Sequence, residues 1–467
     1  MADFRFIDLF CGIGGFHQAM VEMGGECVYA SDNDLHCQRV YADNYGMTPG
    51  GDITKVDEKD IPAHDVLCAG FPCQSFSKAG KRLGFLDQTK GTLFFDVMRI
   101  VNYHKPRYVL LENVRNLASH DGGNTWKVIH DALSEAGYDV SDTPAIFSPH
   151  YIGIPQHRER VFIMAVRKDV GSLHQFWFET INAKESNISS VLSQVTDMNY
   201  SISQELHDWM TLWNMFINGI SADRLPGFPI WTAFFNDAPV LGLSEMPSWK
   251  RTIIEKNKNL WREKKGFLRN WLRTAATNPL FFGAKAKFEW QAGDTRTPDI
   301  WKQVMQIRPS GLRVSSTRKF PALVAITQIP IISVNGQWPR YLTPRECARL
   351  QSFPESFKCD PSDAQAYKQF GNAVNVELVK LFAGFMFGNA DLISEYSKEN
   401  QQISVIPDFD KEIPEEKEVR KFKKGDVVSN GEYTYTINYI GRDCYWVKEH
   451  DCATIPFEYE EYWEIVK

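Results

Sequence analysis

The sequence predicts an α/β fold in which a doubly wound sheet is interrupted by an irregular inserted region and followed by a small β module. Residues 1–170 alternate short apolar runs with helix-like segments, which is typical of a parallel sheet covered on both faces. From about residue 170 to 340, tryptophans, basic residues and breakers such as "RLPGFP" interrupt this alternation. Near the C-terminus, "GDVVSNGEYTYTINYIGRDCYWVKE" alternates with the strand period around two turns.

Composition restricts the class of protein. A chain of 467 residues is long enough for two or more domains. Its nine cysteines lack paired C-x-x-C spacing, which argues against a disulfide framework and a structural zinc site, and we expect no metal. No apolar run reaches the roughly 18 residues that span a bilayer, and the first residues lack the features of a signal peptide. We therefore expect a cytoplasmic protein that is not bound to a membrane.

Charge is unevenly distributed along the chain, whose net charge is -6. The stretch from Lys250 to Arg273 carries nine basic residues against Glu255 and Glu263, whereas residues 407–418 are acidic and contain prolines. The basic stretch is compatible with a phosphate-binding surface and equally with a solvated helix face.

The residues that follow the first two predicted strands indicate a ligand site, because ligands of open α/β sheets bind at the carboxyl ends of the strands. After "FIDLF", Gly12, Gly14 and Gly15 allow backbone amides at a helix start to approach a cofactor closely. An ordinary tight turn gives the same pattern. Asp32 follows "CVYAS" about 20 residues later, where an acidic side chain typically binds ribose. Together they favour a cofactor that contains a nucleoside.

The next two predicted strands end in reactive groups. "DVLCA" leads into "GFPCQSFSKAG", where Gly70 and Pro72 favour an exposed turn around Cys73, although a lone cysteine is usually a buried packing residue. "RYVLLENV" ends with Glu112, whose alternative role is to cap a helix. The thiol and the carboxylate therefore converge on one edge of the predicted sheet.

Two further segments complete this predicted domain. "QHRERVFIMA" predicts a strand whose period of two places Arg158 and Arg160 on one face, where a cation near Cys73 would favour its thiolate and surface salt bridges are the alternative. In "TPRECARLQSF", Thr343 and Glu346 predict a helix that starts with a capping box. We expect the next helix, "NVELVKLFAGFMFG", to pack on the sheet.

Taken together, these motifs resemble the cytosine-5 DNA methyltransferases. The matching stretches follow that family's order and are "FIDLFCGIGGF", "GDI", "GFPCQSFS", "GTLFFDVMRIV", "LENV", "QHRERVF", "LTPRECARLQSFP" and "AYKQFGNAVNV". The resemblance implies a Rossmann-like, S-adenosyl-L-methionine-dependent methyltransferase domain. We assign residues 1–169 and 361–400 to the catalytic domain, 170–360 to target recognition, 401–420 to a linker and 421–467 to the β module.

The resemblance also implies roles for individual residues. Cys73 would be the nucleophile, Glu112 would contact ring nitrogen 3 and the exocyclic amine of cytosine, and Arg160 would contact the ring carbonyl, with Arg158 supporting the same site. Asp32 is shorter than the glutamate of many family members. The implied cofactor-binding residues are Phe10, Gly12, Gly14, Gly15, Asp32, Asp52, Ile53, Leu93, Asn372 and Val374.

DNA contacts are expected because the target base must leave the duplex stack to react, at a free-energy cost that the protein has to offset. Gln74 and Ser77 flank the nucleophile. Trp249, Trp261 and Trp271 could hold the opened duplex or belong to a core. The expected phosphate-binding residues in the basic stretch are Lys250, Arg251, Arg262, Arg269 and Arg273.

The predicted function is methylation of carbon 5 of cytosine in duplex DNA by a bacterial restriction-modification enzyme. We expect a monomer that shares its DNA site with a restriction endonuclease without having to bind it. The alternatives are a transfer-RNA cytosine-5 methyltransferase, a non-catalytic DNA-binding relative and an NAD-dependent oxidoreductase suggested by the glycine turn alone.

Overall fold

The protein is described by a computed structural model. It covers residues 2–72, 93–173, 184–220, 225–293, 297–325 and 328–389, together with the backbone of five short strands between residues 427 and 465. Cys73, Gln74 and Ser77, for which the sequence predicts roles at the nucleophile loop, lie outside the described residues.

A seven-stranded sheet forms the centre of the first structural unit. Its order is β2-β1-β3-β4-β8-β5, with β6 also paired to β8. The first four of these strands are parallel, and β8 is antiparallel to its three partners. The first strands along the chain are β1 (Phe4–Leu9), β2 (Gly25–Ser31), β3 (Val66–Ala69), β4 (Tyr108–Val114), β5 (Tyr138–Val140), β6 (Ala145–Phe147), β7 (Gln156–His157) and β8 (Arg160–Arg167).

Helices cover both faces of this sheet, as the alternation of apolar runs predicts. One face packs on a core with α1 and α10, and the other on a core with α3 and α4. The doubly wound fold is therefore confirmed. The α-helices of the described residues are α1 (Gly15–Glu22), α2 (Leu35–Tyr45), α3 (Leu93–His104), α4 (Asn124–Glu135), α5 (Gln204–Ile220), α6 (Ser248–Glu263), α7 (Lys265–Ala275), α8 (Pro344–Leu350), α9 (Asp363–Asn372) and α10 (Val376–Phe387).

A second sheet lies in the region where the sequence shows no regular alternation. It has six strands in the order β15-β14-β11-β12-β10-β9, and α5 and α7 pack on its aromatic core. Apart from the hairpin of β11 and β12, its strands are short or separated by long segments, which explains why no period is visible. The strands of this region are β9 (Ile230–Trp231), β10 (Lys287–Gln291), β11 (Val304–Arg308), β12 (Gly311–Ser315), β13 (Phe320–Pro321), β14 (Ile331–Ile332) and β15 (Arg340–Tyr341).

Both predicted features of the returning helices are confirmed. Thr343 caps α8, and its hydroxyl and the Glu346 carboxylate form the reciprocal bonds of a capping box. Helix α10 packs against α1 and β8. The segment Asp363–Phe387 has the length and apolar composition of a membrane span, but 72% of its apolar window is buried inside the protein, as in a core helix.

The predicted strand "QHRERVFIMA" is interrupted. Strand β7 pairs with β13 rather than with the central sheet, and β8 begins only at Arg160. Between them, the Arg158 amide donates to the Ser148 hydroxyl over 2.8 Å. The backbone therefore leaves one sheet and joins another at the residues for which the sequence predicts one face of a continuous strand.

The predicted C-terminal β module is confirmed as a five-stranded sheet of order β19-β18-β17-β16-β20. All of its pairings are antiparallel. Its strands are β16 (Val427–Ser429), β17 (Thr434–Ile440), β18 (Cys444–Val447), β19 (Thr454–Pro456) and β20 (Glu464–Ile465).

Candidate active site

The turn between β1 and α1 has an unusual backbone. Phe10, Gly12 and Gly14 have φ angles of 55°, 54° and 85°, in the left-handed region that a phenylalanine rarely adopts. A side chain at Gly14 would overlap the ring of Tyr45, and a Cβ at Gly15 would lie 2.5 Å from the Val374 carbonyl oxygen. A Cβ at Gly12 would meet no described atom within 4 Å. Gly14 and Gly15 thus allow tight packing against Tyr45 and Val374, and the space next to Gly12 is open among the described residues.

Asp32 holds this turn in place. Its two carboxylate oxygens accept hydrogen bonds from the amides of Gly12 and Asp34, each over 2.8 Å. Burial raises the pKa of the Asp32 carboxyl above its ordinary value. The sequence predicts only a ribose contact for Asp32, so this structural role was missed. Each oxygen has a further lone pair with which a ribose hydroxyl can bond.

The remaining residues predicted to bind the cofactor are spread over several elements. Phe10 and Ile53 pack on the same core, and Asp52 caps the short 3-10 helix that contains Ile53. Leu93 is the first residue of α3. Asn372 is exposed at the end of α9, while Val374 is buried against the glycine turn. Direct contacts thus join Gly12 to Asp32 and Gly15 to Val374.

Glu112 and Arg160 form an ion pair at the end of β4. Strands β4 and β8 are paired so that Val114 lies opposite Arg160. The Arg160 Nε atom lies 3.0 Å from Glu112 Oε1. Only 9% of Glu112 is exposed. Burial raises the pKa of the Glu112 carboxyl above its ordinary value, although the guanidinium groups of Arg160 and Arg158 oppose this shift. The site therefore favours a proton on Glu112 more than water does.

The two residues Gly70 and Phe71, which precede Pro72 and Cys73 in the sequence, lie near this ion pair. A Cβ at Gly70 would lie 3.8 Å from Glu112 Oε2. The Asn113 side chain donates to the carbonyl of Phe71 over 2.8 Å and is itself buried. Asn113 therefore fixes the chain two residues before Cys73. Sequence reasoning missed this role, for which the only signal is the position of Asn113 directly after Glu112.

Arg158 lies deeper than Arg160 and makes different contacts. It is 2% exposed, and its guanidinium group donates to the carbonyl oxygens of Leu323, Gly371 and Ala373. These contacts connect the central sheet to the segment that carries Asn372. Arg158 is close enough to Glu112 to affect its pKa, but its hydrogen bonds go to backbone carbonyls and not to Glu112 or Arg160.

The basic stretch forms α6 and α7. Arg262, Arg269 and Arg273 are exposed, whereas Lys250 and Arg251 are partly buried. Trp261 and Trp271 belong to the aromatic core, while Trp249 is 59% exposed. The core interpretation therefore holds for two of the three tryptophans.

The cofactor site suits an adenosyl group. It combines free space above a glycine turn, a carboxylate with spare lone pairs and the apolar side chains of Phe10 and Ile53. These features fit a cofactor that contains a nucleoside, because the Asp32 carboxylate at the end of β2 can accept a hydrogen bond from a ribose hydroxyl.

Comparison with known proteins gives a consistent result. Residues 4–387 match the family described as C-5 cytosine-specific DNA methylase. The chain is 34% identical over 387 residues to the Type II methyltransferase M1.ScrFI of Lactococcus lactis subsp. cremoris, covering 82% of this chain and 77% of that protein. It is 32% identical over 385 residues to the Type II methyltransferase M.HhaI of Haemophilus parahaemolyticus, with coverages of 81% and 93%.

Among solved structures, the chain is similar to the Dnmt2 methyltransferase of S. pombe. The identity is 16%, the TM-score is 0.48, and the alignment covers 82% of this chain and 98% of that one. The matches to Type II methyltransferases do not favour the transfer-RNA alternative. With its motifs, its doubly wound sheet and a match over residues 4–387, the chain belongs to the C-5 cytosine-specific DNA methylase family.

Proposed function

We propose that this protein methylates carbon 5 of cytosine in duplex DNA with Cys73 as the nucleophile and Glu112 and Arg160 as the groups that hold the base. The observation that carries this assignment is the ion pair between buried Glu112 and half-buried Arg160, close to Gly70, which precedes Cys73 by three residues. A carboxyl whose pKa is raised by burial and a neighbouring guanidinium can bind the polar edge of a cytosine together.

Each residue has a defined task in the proposed reaction. The Cys73 thiolate forms a bond to carbon 6, which breaks the aromatic conjugation and makes carbon 5 nucleophilic. Glu112 gives a proton to ring nitrogen 3, or shares one with it, so that negative charge does not accumulate in the ring. After methylation, a water molecule takes the carbon 5 proton, the bond between sulfur and carbon 6 breaks, and Cys73 leaves as a thiolate while ring nitrogen 3 returns its proton to Glu112.

S-adenosylmethionine is the methyl donor of this family, and when bound it supplies an electrophilic methyl group on a sulfonium sulfur. In this chain the glycine turn and Asp32 would hold the ribose end. Asp52 and Ile53 would surround the adenine. Leu93, Asn372 and Val374 would complete the wall. Phe10 would close the site from the strand side.

The residues proposed to hold DNA come from two parts of the sequence. Gln74 and Ser77 flank Cys73, and Arg262, Arg269 and Arg273 offer exposed cations on α6 and α7 to backbone phosphates. Lys250 and Arg251 are partly buried, so we give them a smaller share of the binding. The division into a catalytic domain (1–169 and 361–400), a recognition domain (170–360), a linker (401–420) and a β module (421–467) belongs to this proposal.

The cellular role is inferred from the relatives, which are named Type II methyltransferases. We infer that this enzyme protects DNA in the cytoplasm of a bacterium against a restriction endonuclease of the same specificity. It acts as a monomer and does not need to bind the endonuclease.

Trapping of a covalent complex tests the chemistry. Duplex DNA with 5-fluorocytosine in the recognition site is expected to form a stable adduct that depends on S-adenosylmethionine, because fluorine cannot leave carbon 5 as a proton does. Bisulfite sequencing of DNA from expressing cells first identifies the site. The adduct should be absent with Cys73→Ala and present with Cys359→Ala, a half-buried cysteine outside the site. An adduct that persists in Cys73→Ala would contradict the assigned nucleophile.

A further inference from the structure

We propose that Arg158 is a positioning residue that couples cofactor binding to binding of the target base. This inference rests on the proposed function, because it assigns the two ligands to the two sites described above. Its basis is the set of carbonyl groups that the Arg158 side chain holds together.

Arg158 bonds to three backbone carbonyls from two distant segments. Its Nη1 atom lies 2.7 Å from the oxygen of Leu323, and its Nη2 atom lies 2.9 Å from the oxygens of both Gly371 and Ala373. Within the described part of the chain, no carboxylate forms an ion pair with it. A guanidinium group buried to 2% exposure is costly unless its donors are bonded, and these three carbonyls accept hydrogen bonds from it.

The two carbonyls on Nη2 flank Asn372. These bonds hold the backbone on both sides of Asn372. Because Asn372 is exposed, its side chain remains available to a ligand. Val374 follows immediately and packs against Gly15 of the cofactor turn. A displacement of the Arg158 guanidinium group therefore moves the proposed cofactor wall.

The backbone of Arg158 leads to the residues proposed to bind the target base. Arg160 follows two residues later and pairs with Glu112, and the Arg158 amide is fixed by Ser148. Glu112 is close enough to oppose the lowering of the Arg158 pKa that burial causes. A shift of Arg160 and Glu112 on binding the base is thus transmitted along three residues to the guanidinium group.

The third carbonyl that Arg158 binds, that of Leu323, belongs to the segment that precedes β14 of the six-stranded sheet. Leu323 lies between β13 and β14, and a Cβ at the adjoining Gly371 would overlap the backbone of Val324. The segment that enters the six-stranded sheet is therefore in tight contact with the cofactor wall. Arg158 joins both to the strand that carries Arg160, which gives a contiguous path between the two ligand sites.

Linkage makes the inference measurable, since coupling between two ligands is reciprocal. DNA affinity is measured with and without S-adenosylhomocysteine, a non-reactive analogue of the methyl donor. For the wild type we expect the analogue to tighten DNA binding by at least about fivefold. For Arg158→Lys, which keeps the charge but loses the fork, we expect less than about twofold, with increased KM for both substrates and a smaller change in kcat.

Arg345→Lys provides the matched control. Arg345 also donates to two backbone carbonyls, those of Pro354 and Phe357, and neither carbonyl belongs to the described residues of the proposed ligand site. It should keep the coupling of the wild type. Coupling that is intact in Arg158→Lys, or absent from the wild type, would overturn the inference. A wild type that binds neither ligand would overturn the proposed function itself.

Hydrogen exchange on the wild type gives a second test that does not require a folded variant. We expect DNA alone to slow amide exchange in residues 371–376, and the analogue alone to slow exchange in residues 158–163. Protection confined to each ligand's own site would contradict coupling through Arg158.

Discussion

Two glutamate–arginine pairs of this enzyme are built in opposite ways. Glu346 is fully buried, and its carboxylate accepts hydrogen bonds from two nitrogens of Arg340 and from the amides of Thr343 and Ser193, all within 2.9 Å. Glu112 is also buried, but among the described residues its only recorded bond is to Arg160. One carboxylate is saturated with donors, whereas the other keeps capacity for a ligand.

The difference separates a structural carboxylate from a chemical one. Four donors stabilise the charge of Glu346, which joins α8 to β15 and to the segment around Ser193. Burial without enough donors raises the pKa of Glu112 instead. A buried carboxyl with an increased pKa at the end of a parallel strand is a catalytic candidate, and ion pairing alone would not have distinguished it.

The largest expected effect is on catalysis. Glu112→Gln should reduce kcat/KM for DNA methylation by roughly 10²- to 10⁴-fold, because the amide cannot give a proton to the base. Transfer of a radioactive methyl group to DNA measures it. Glu355→Gln, which alters an exposed partner of Arg349, is the control and should retain activity. A loss of kcat/KM below tenfold in Glu112→Gln would contradict a catalytic role for Glu112.

The next effect is on stability. Glu346→Ala should decrease the free energy of unfolding by about 3–5 kcal/mol, because it leaves the buried Arg340 guanidinium without its counterion. Urea unfolding measures the change. Glu355→Ala should cost at most about 1 kcal/mol, since its carboxylate lies at the surface. Equal losses in the two variants would mean that the buried pair contributes no more than an exposed one.

The raised pKa of Glu112 should also make the stability of the protein depend on pH. The folded-state pKa of Glu112 is increased, so the folded protein holds this proton more tightly than the unfolded chain. This contribution is present at low pH and is lost as the pH rises from the ordinary glutamate pKa through the folded one. Relative to the wild type, Glu112→Gln should gain stability across that window, measured by urea unfolding at several pH values. The reverse slope would show that Arg160 outweighs burial.

The smallest effect concerns the helix start next to Glu346. Thr343→Ala removes the hydroxyl that accepts from the Glu346 amide and should destabilise the protein by about 1 kcal/mol. Ser362→Ala is a matched control, because Ser362 occupies the cap position of α9 without a side-chain cap bond. Thermal unfolding of both variants checks this. A Ser362→Ala loss as large as that of Thr343→Ala would indicate that the cap bond is not responsible.

Much of this fold follows from local patterns. The apolar runs place the strands. The glycine turn follows β1, Asp32 follows β2, and Glu112 lies near the end of β4. The capping box at Thr343 is also a local signal and is confirmed. The second sheet could not be predicted, because strands such as β10 and β12 pair across long segments without a period. The interruption between β7 and β8 arises from the same cause.

The sequence by itself determined the order of the motifs, the ends of the parallel strands and the family, because each depends on residues close together in the chain. Only the tertiary structure decided that Glu346 is saturated while Glu112 is not, that Trp261 is core, and that Arg158 binds three carbonyls. The Arg158 contacts join residues 165 to 215 positions apart. Donor count and burial are set by such distant neighbours, and no local period encodes them.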